Sequence, residues 1–149
     1  MHKKMENTFN ETIINFNYKK YLIKDYSNWV LLLNKNQFTL GSLVLICKDN
    51  SVKFSNISND SFSEMNLIVK DIESKLKRVI PFKKINYLML MMVDPNVHFH
   101  VIPRYEKINY NNFDFEDPGW PGKPNLEQIS DVSDDTIDKL RLELISEFK

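Results

Sequence analysis

The chain has 149 residues, enough for one domain with a real core. Its 20 basic and 20 acidic residues cancel, so general attraction to nucleic acid or to an anionic membrane is not expected. A single cysteine, Cys47, excludes an intrachain disulfide and fits a reducing, cytoplasmic setting.

Residues 1–17 are mostly polar with scattered Phe9, Ile13, Ile14 and Phe16, and read as a tail or a short helix packed on the body. No apolar signal core stands at the N-terminus. Tyr18 to Asp25 mixes apolar and basic residues and suits a strand or a lead-in. Trp29–Leu33 and Leu43–Ile46 are short apolar runs, one bounded by Asn28 and Asn34 and the other preceded by Gly41. They read as an antiparallel pair of buried strands. Cys47 continues the second run and reads as a buried structural thiol.

The period then changes. Phe62, Met65, Ile68, Val69, Ile72, Leu76, Val79 and Ile80 recur at three- and four-residue steps, which predicts an amphipathic helix. Ser61 with Glu64 suggests a capping box at its start, and Pro81 stops it. Lys84 to Val93 reads as a further apolar strand, its methionines belonging to the core. It is far shorter in apolar length than the roughly 20 residues of a membrane-spanning helix. Asp94-Pro95 then turns the chain tightly into Asn96–Arg104. Glu106 to Asn125 carries so many Pro and Gly residues that irregular structure is expected. A last helix follows, capped by Ser133 or Asp134, with Ile137, Leu140, Leu144, Ile145 and Phe148 as its stripe. The order predicts an α+β fold in one domain over 1–149: tail 1–17, core 18–105, then a Pro/Gly-rich segment and helix over 106–149. No Gly-rich phosphate loop follows a strand, which argues against a Walker or Rossmann nucleotide site.

The densest chemistry lies in Asn96-Val97-His98-Phe99-His100-Val101-Ile102-Pro103-Arg104. Alternation along a strand puts Asn96, His98, His100, Ile102 and Arg104 on one face, which is expected to meet solvent, a ligand or a partner chain. Three readings of the histidines stand side by side. They are two polar groups on a wet face; or they are zinc ligands, although the remaining histidine, His2, lies in the tail and no Cys or Glu stands at ligand spacing; or one is a neutral imidazole acting as a nucleophile toward phosphorus.

The motif resembles the signature of the histidine triad (HIT) family: His, apolar, His, apolar, His, two apolar residues, with Pro-Arg following in the dinucleoside-polyphosphate hydrolase branch. The resemblance extends upstream through Leu33-Asn34 and Gly41-Ser42-Leu43-Val44, covering roughly 21–104. It implies a HIT-like fold of about five antiparallel strands with one long packed helix and a C-terminal helix. It also implies a homodimer and a nucleotide substrate, such as a diadenosine polyphosphate, cleaved through a covalent nucleotidyl-histidine. His98 matches the nucleophile, and His100 matches the residue that contacts phosphate and assists the leaving group. Asn34 matches an asparagine lying against the nucleoside. Neither a cofactor nor a metal is implied.

The chain departs from the family pattern in three places. Asn96 replaces the first histidine, and an amide cannot become charged. Leu40-Gly41-Ser42 replaces Pro-Gly-His. Met91-Met92-Val93-Asp94-Pro95 stands where many members carry a Gly-rich, phosphate-touching loop. Arg104 is the candidate replacement for those phosphate contacts, since its guanidinium can fork onto oxygens, and Trp120 is a candidate for stacking on a base. A nucleotide-binding module with little or no turnover is the alternative reading.

Overall fold

The computed structural model of the protein describes residues 9–149; His2 and the rest of 1–8 lie outside the described residues. Two short helices, α1 (Glu11–Asn15) and α2 (Tyr18–Tyr21), lead into strands β1 (Leu22–Asp25), β2 (Trp29–Leu33) and β3 (Leu43–Cys47). A long helix, α3 (Asn59–Asp71), continues through a widened π turn (Ile72–Leu76) to Val79. Then come β4 (Lys84–Leu88), β5 (His98–Arg104), a hairpin of β6 (Lys107–Tyr110) and β7 (Phe113–Glu116), and helix α4 (Asp134–Glu147).

The main sheet has the order β1-β2-β3-β5-β4, and every neighbouring pair is antiparallel. The α3 crossover carries the chain past β3 to the far edge, and β5 returns into the place between. Register sorts the side chains into two faces. Trp29 pairs with Cys47, Leu31 with Leu45, Leu33 with Leu43, and these two leucines of β3 with Phe99 and Val101. That face is covered by Ile68, Ile72 and Leu76 of the long helix and by Leu140, Leu144 and Phe148 at α4, all fully buried. Burying a leucine of this kind and then truncating it to alanine costs about 2–5 kcal/mol. The opposite face carries Val30, Leu32, Val44 and Ile46, covered by Ile13 and Phe16 from the N-terminal segment. Ile46 lies across from His98 and Val44 from His100, so both histidines belong to this second face.

Several boundaries differ from the sequence expectation. The long helix starts earlier, at Asn59, because Ser58 is the cap: its hydroxyl accepts from the Ser61 N–H at 3.0 Å. Glu64 closes no capping box; it accepts the backbone N–H groups of Ser27 and Asn28. Strand β4 stops at Leu88, and residues 89–97 form a wide loop rather than a tight turn. Met91 there has φ +53°, a value that no strand residue adopts. The stretch expected to be irregular contains the β6–β7 hairpin. Its turn is Asn111-Asn112, both at positive φ, the primed geometry that matches strand twist. Ile108, Tyr110 and Phe115 alternate inward from it.

Gly41 sits at φ +98°, and a Cβ there would meet Ile80 Cγ1 at 2.9 Å. It shapes the β2–β3 connection that positions Asn34. In that connection Gln37 donates to the carbonyls of Asn34 and Ser42 and accepts from the Gly41 N–H. Ser42, at the position of the family's upstream histidine, is fully buried and turned back on Thr39, donating to its carbonyl at 2.8 Å.

Candidate active site

His98 and His100 stand next to one another on the α1 side of β5, ring centroids 5.4 Å apart. Phe16 packs on both, at 5.6 and 6.0 Å, and Phe38 lies 6.0 Å from His100. A cleft of about 330 Å³ opens on the pair. Lys35 and Asn36 contribute to one part of its wall, and the Leu90–Asp94 loop to another.

Hydrogen bonding assigns the tautomers. His98 Nδ1 lies 2.7 Å from the carbonyl oxygen of Asn96. A carbonyl only accepts, so Nδ1 carries the hydrogen and the neutral ring's lone pair is on Nε2. His100 Nδ1 lies 3.1 Å from Asn34 Nδ2. The orientation of that amide is set independently, since Asn34 Oδ1 accepts the Asn36 N–H at 3.0 Å. The Asn34 NH2 therefore donates to His100 Nδ1, and the neutral His100 carries its hydrogen on Nε2. Burial, and then the neighbouring His98, lower the His100 pKa from 6.5 to about 4, with Asp94 opposing. At neutral pH His100 is an uncharged ring offering an N–H. The pair thus presents one nitrogen with a free lone pair and one with a hydrogen to give.

Asn96, at the position of the missing first histidine, does not line the cleft. It is 5% exposed. Its Oδ1 accepts from the Thr12 N–H and hydroxyl at 3.2 and 3.0 Å, its Nδ2 donates to the Asn50 carbonyl, and its own N–H donates to Thr12 Oγ1 at 2.9 Å. This amide bolts α1 to the start of β5. Asn10 caps α1 and ties it to the end of β3, donating to the carbonyls of Cys47 and Asp49.

Of the Asn96-to-Arg104 face, expected to meet solvent, a ligand or a partner chain, His98 and His100 line the cleft, whereas Asn96 and Arg104 are bonded to the protein's own groups. His98 is 2% exposed and Arg104 3%. The chain covers its own polar row, with α1 at one end and the segment after β7 at the other. Arg104 forks onto Asp117, with Nε–Oδ2 at 2.6 Å and Nη2–Oδ1 at 3.2 Å, and also donates to Asn86 Oδ1 and the Gly122 carbonyl. All three guanidinium nitrogens are thereby engaged within the protein. Trp120 belongs to the same end: with Arg104, Lys84, Asn86 and Leu88 it lines a separate cleft of about 500 Å³, and Lys83 Nζ lies 5.9 Å from its ring centroid. The structure therefore brings Asn34, His98 and His100 together and places Arg104 and Trp120 at a second locus. Asn34 reaches the imidazole directly, a contact that sequence matching to a nucleoside role did not anticipate.

Thr12, Phe16 and Asp117 were missed from the sequence. Thr12 and Asn96 are 84 residues apart, and no local pattern links them. Asp117 had a visible signal, an acid directly before Pro-Gly, but its partner is defined only by the fold. Among the described residues there is no group of three or more His, Cys, Asp or Glu placed to hold a metal ion. No described helix is long and apolar enough to cross a membrane.

An antiparallel five-stranded sheet with a paired imidazole motif on an inner strand, the first ring held by the backbone carbonyl two residues back, defines a histidine triad architecture. The HIT domain family model matches residues 15–107, and the chain belongs to that family. A comparison with curated proteins finds no match. Among solved structures, a histidine triad protein from Marinobacter aquaeolei is similar with TM-score 0.69 and 13% identity, over 91% of this chain and 96% of that one. A hypothetical histidine triad nucleotide-binding protein from Sulfolobus tokodaii gives TM-score 0.66 and 19% identity, over 92% and 89%. A diadenosine triphosphate hydrolase from Plasmodium falciparum gives 0.58 and 11%, over 87% and 75%.

Proposed function

We propose that the protein is a nucleotidyl hydrolase or transferase that works through a covalent nucleotidyl-His98. The observation that carries this is the Asn96 carbonyl on His98 Nδ1, which leaves the Nε2 lone pair directed away from the backbone as the nucleophile. Nε2 attacks the α-phosphorus of a nucleoside phosphoanhydride, ester or phosphoramidate. The bond to the leaving oxygen or nitrogen breaks, and its electron pair departs with that atom. Water then attacks the phosphorus, the new O–P bond forms as the N–P bond breaks, the pair returns to Nε2, and the water proton passes to solvent. His100, neutral, gives a hydrogen bond from Nε2–H to a phosphoryl oxygen or to the leaving atom, an electrostatic contribution rather than transfer from a charged acid. Asn34 supports this by holding His100 in that tautomer. Diadenosine polyphosphates are the first substrates to try, given the family.

The test is release of mononucleotide from a diadenosine polyphosphate, together with the mass of the His98 peptide. Wild type gains one nucleotide on His98, and His98→Ala neither labels nor turns over; undiminished turnover in the variant overturns the assignment. With an activated leaving group His100→Ala retains more activity than His98→Ala, and the reverse order breaks the division of roles.

A second reading has its own observation. His98 is nearly covered by Phe16, which favours a nucleotide-binding module with little turnover. Tight nucleotide binding without any label on His98 supports that reading instead. Family membership and the outer edge of β4, unpaired among the described residues, support a homodimer formed through this strand. Light scattering at a single-chain mass counts against it.

A further inference from the structure

Where a phosphate-touching loop would stand, this chain places Leu90-Met91-Met92-Val93. The loop lines the cleft that contains His98 and His100. Three of its apolar side chains stand in water: Met92 is 86% and Val93 91% exposed, and Leu90 is exposed as well, while Met91 is partly buried against the core. Consecutive apolar groups held in water beside a reactive pair mark a surface that a ligand covers. Methionine is flexible and polarizable, suited to varied apolar shapes.

The charges in the cleft point the same way. Among the described residues lining it, Lys35 is the one cation and Asp94 the one anion. Lys35 already donates to the Asn15 carbonyl at 3.1 Å and stands over the Phe16 ring. It can answer the single charge of a transferred phosphoryl group. Asp94, held by the Asn15 amide at 3.2 Å, belongs to the loop side and repels further phosphates. A leaving polyphosphate brings several negative charges to a wall that offers thioethers, an isopropyl group and a carboxylate.

We infer that the Leu90–Val93 loop selects nucleoside monophosphates joined through oxygen or nitrogen to an uncharged, apolar leaving group, over those that leave as a polyphosphate. This rests on the nucleotidyl-transfer reading of His98. For an aryl ester the step is balanced without a further reagent. His98 Nε2 forms the N–P bond, the P–O bond to the ring breaks, and the phenolate departs with the electron pair while its ring packs against Met92 and Val93. Water releases the nucleotide as before.

The experiment compares kcat/KM for the para-acetylphenyl ester of AMP, its para-carboxyphenyl counterpart and diadenosine tetraphosphate, in wild type, Met92→Lys and Met92→Leu. Ratios between variants cancel the intrinsic reactivity of each leaving group. Met92 is exposed, so the lysine is accommodated without refolding the core. Met92→Lys shifts the preference about fivefold toward both charged substrates, the size of one solvent-exposed charge pair. Met92→Leu keeps the wild-type preference. The His98 label is measured in parallel. Label with an unchanged preference in Met92→Lys overturns the selection by this loop and leaves the nucleotidyl-transfer reading standing. A change of oligomeric mass in Met92→Lys with an unchanged preference does the same and assigns the loop to contact between copies. Absence of both label and turnover in wild type overturns the nucleotidyl-transfer reading itself, and the inference with it.

Discussion

The two ends of β5 use the same face of the same strand in opposite ways. At the His98 end each imidazole is bonded through its Nδ1, His98 to a backbone carbonyl and His100 to the Asn34 amide. At the Arg104 end a full charge is buried, and every guanidinium nitrogen is bonded to the protein's own oxygens. A buried charge must be paired, whereas a buried imidazole need only be neutral. An imidazole can therefore be buried at the first end without a paired charge. At the second end the same burial turns the residue into an anchor for the segment after β7.

The sharpest way to break the comparison is to remove one group from each end. His98→Ala lowers turnover by about a thousandfold or more, because a covalent path cannot proceed without its nucleophile. Asp117→Ala costs about 3–5 kcal/mol of stability, since it strands the Arg104 guanidinium in a site where the pair is nearly inaccessible. Urea unfolding reads this loss, and the folded fraction still labels His98. If Asp117→Ala leaves stability untouched but abolishes labelling, the two ends are not separate and Arg104 works on the substrate after all.

How far the sequence carried the fold follows from the same distinction. The strand pair β2–β3, the long helix and a last helix capped at Ser133 or Asp134 were legible, because each rests on periodicity or a local bond; Ser133 is the cap. The histidine motif was legible as a motif. Its burial was not, because the cover comes from Phe16 and Thr12, which no pattern near His98 announces. Arg104, read as a candidate phosphate contact, has partners that no local pattern announces either. A strand-end arginine reads as free until Asp117 arrives from 13 residues on, with the β6–β7 hairpin folded between them. That hairpin was itself overlooked: the Pro and Gly residues beyond Asp117 masked the Ile-x-Tyr, Asn-Asn, Phe-x-Phe alternation just before them.

Acid should separate the ends next. The folded His100 pKa is about 4, against an ordinary 6.5 in the unfolded chain. Between these values the unfolded state binds a proton that the folded state refuses. Stability contributed by the neutral ring is complete above about pH 6.5 and is lost as pH falls toward 4, by about 2 kcal/mol after allowance for partial exposure. His100→Gln removes this term, so its stability falls less steeply over the same range. An identical slope in the variant means that His100 does not hold its proton affinity down in the folded state.

The smallest expected effect tests the bolt that covers the reactive end. Thr12→Val keeps the shape of the side chain but removes the hydroxyl. That hydroxyl both donates to Asn96 Oδ1 and accepts the Asn96 N–H, and the donor is left buried without a partner. The cost is about 1–2 kcal/mol, whereas Thr12→Ser, which retains the hydroxyl, costs less. Because the carbonyl that orients His98 belongs to Asn96, a loosened bolt reaches the nucleophile through one residue. Labelling of His98 should therefore slow by a few-fold in Thr12→Val and recover in Thr12→Ser. A destabilised Thr12→Val that labels at the wild-type rate separates the cover from the chemistry. In that case α1 shields the histidines without setting the orientation of His98.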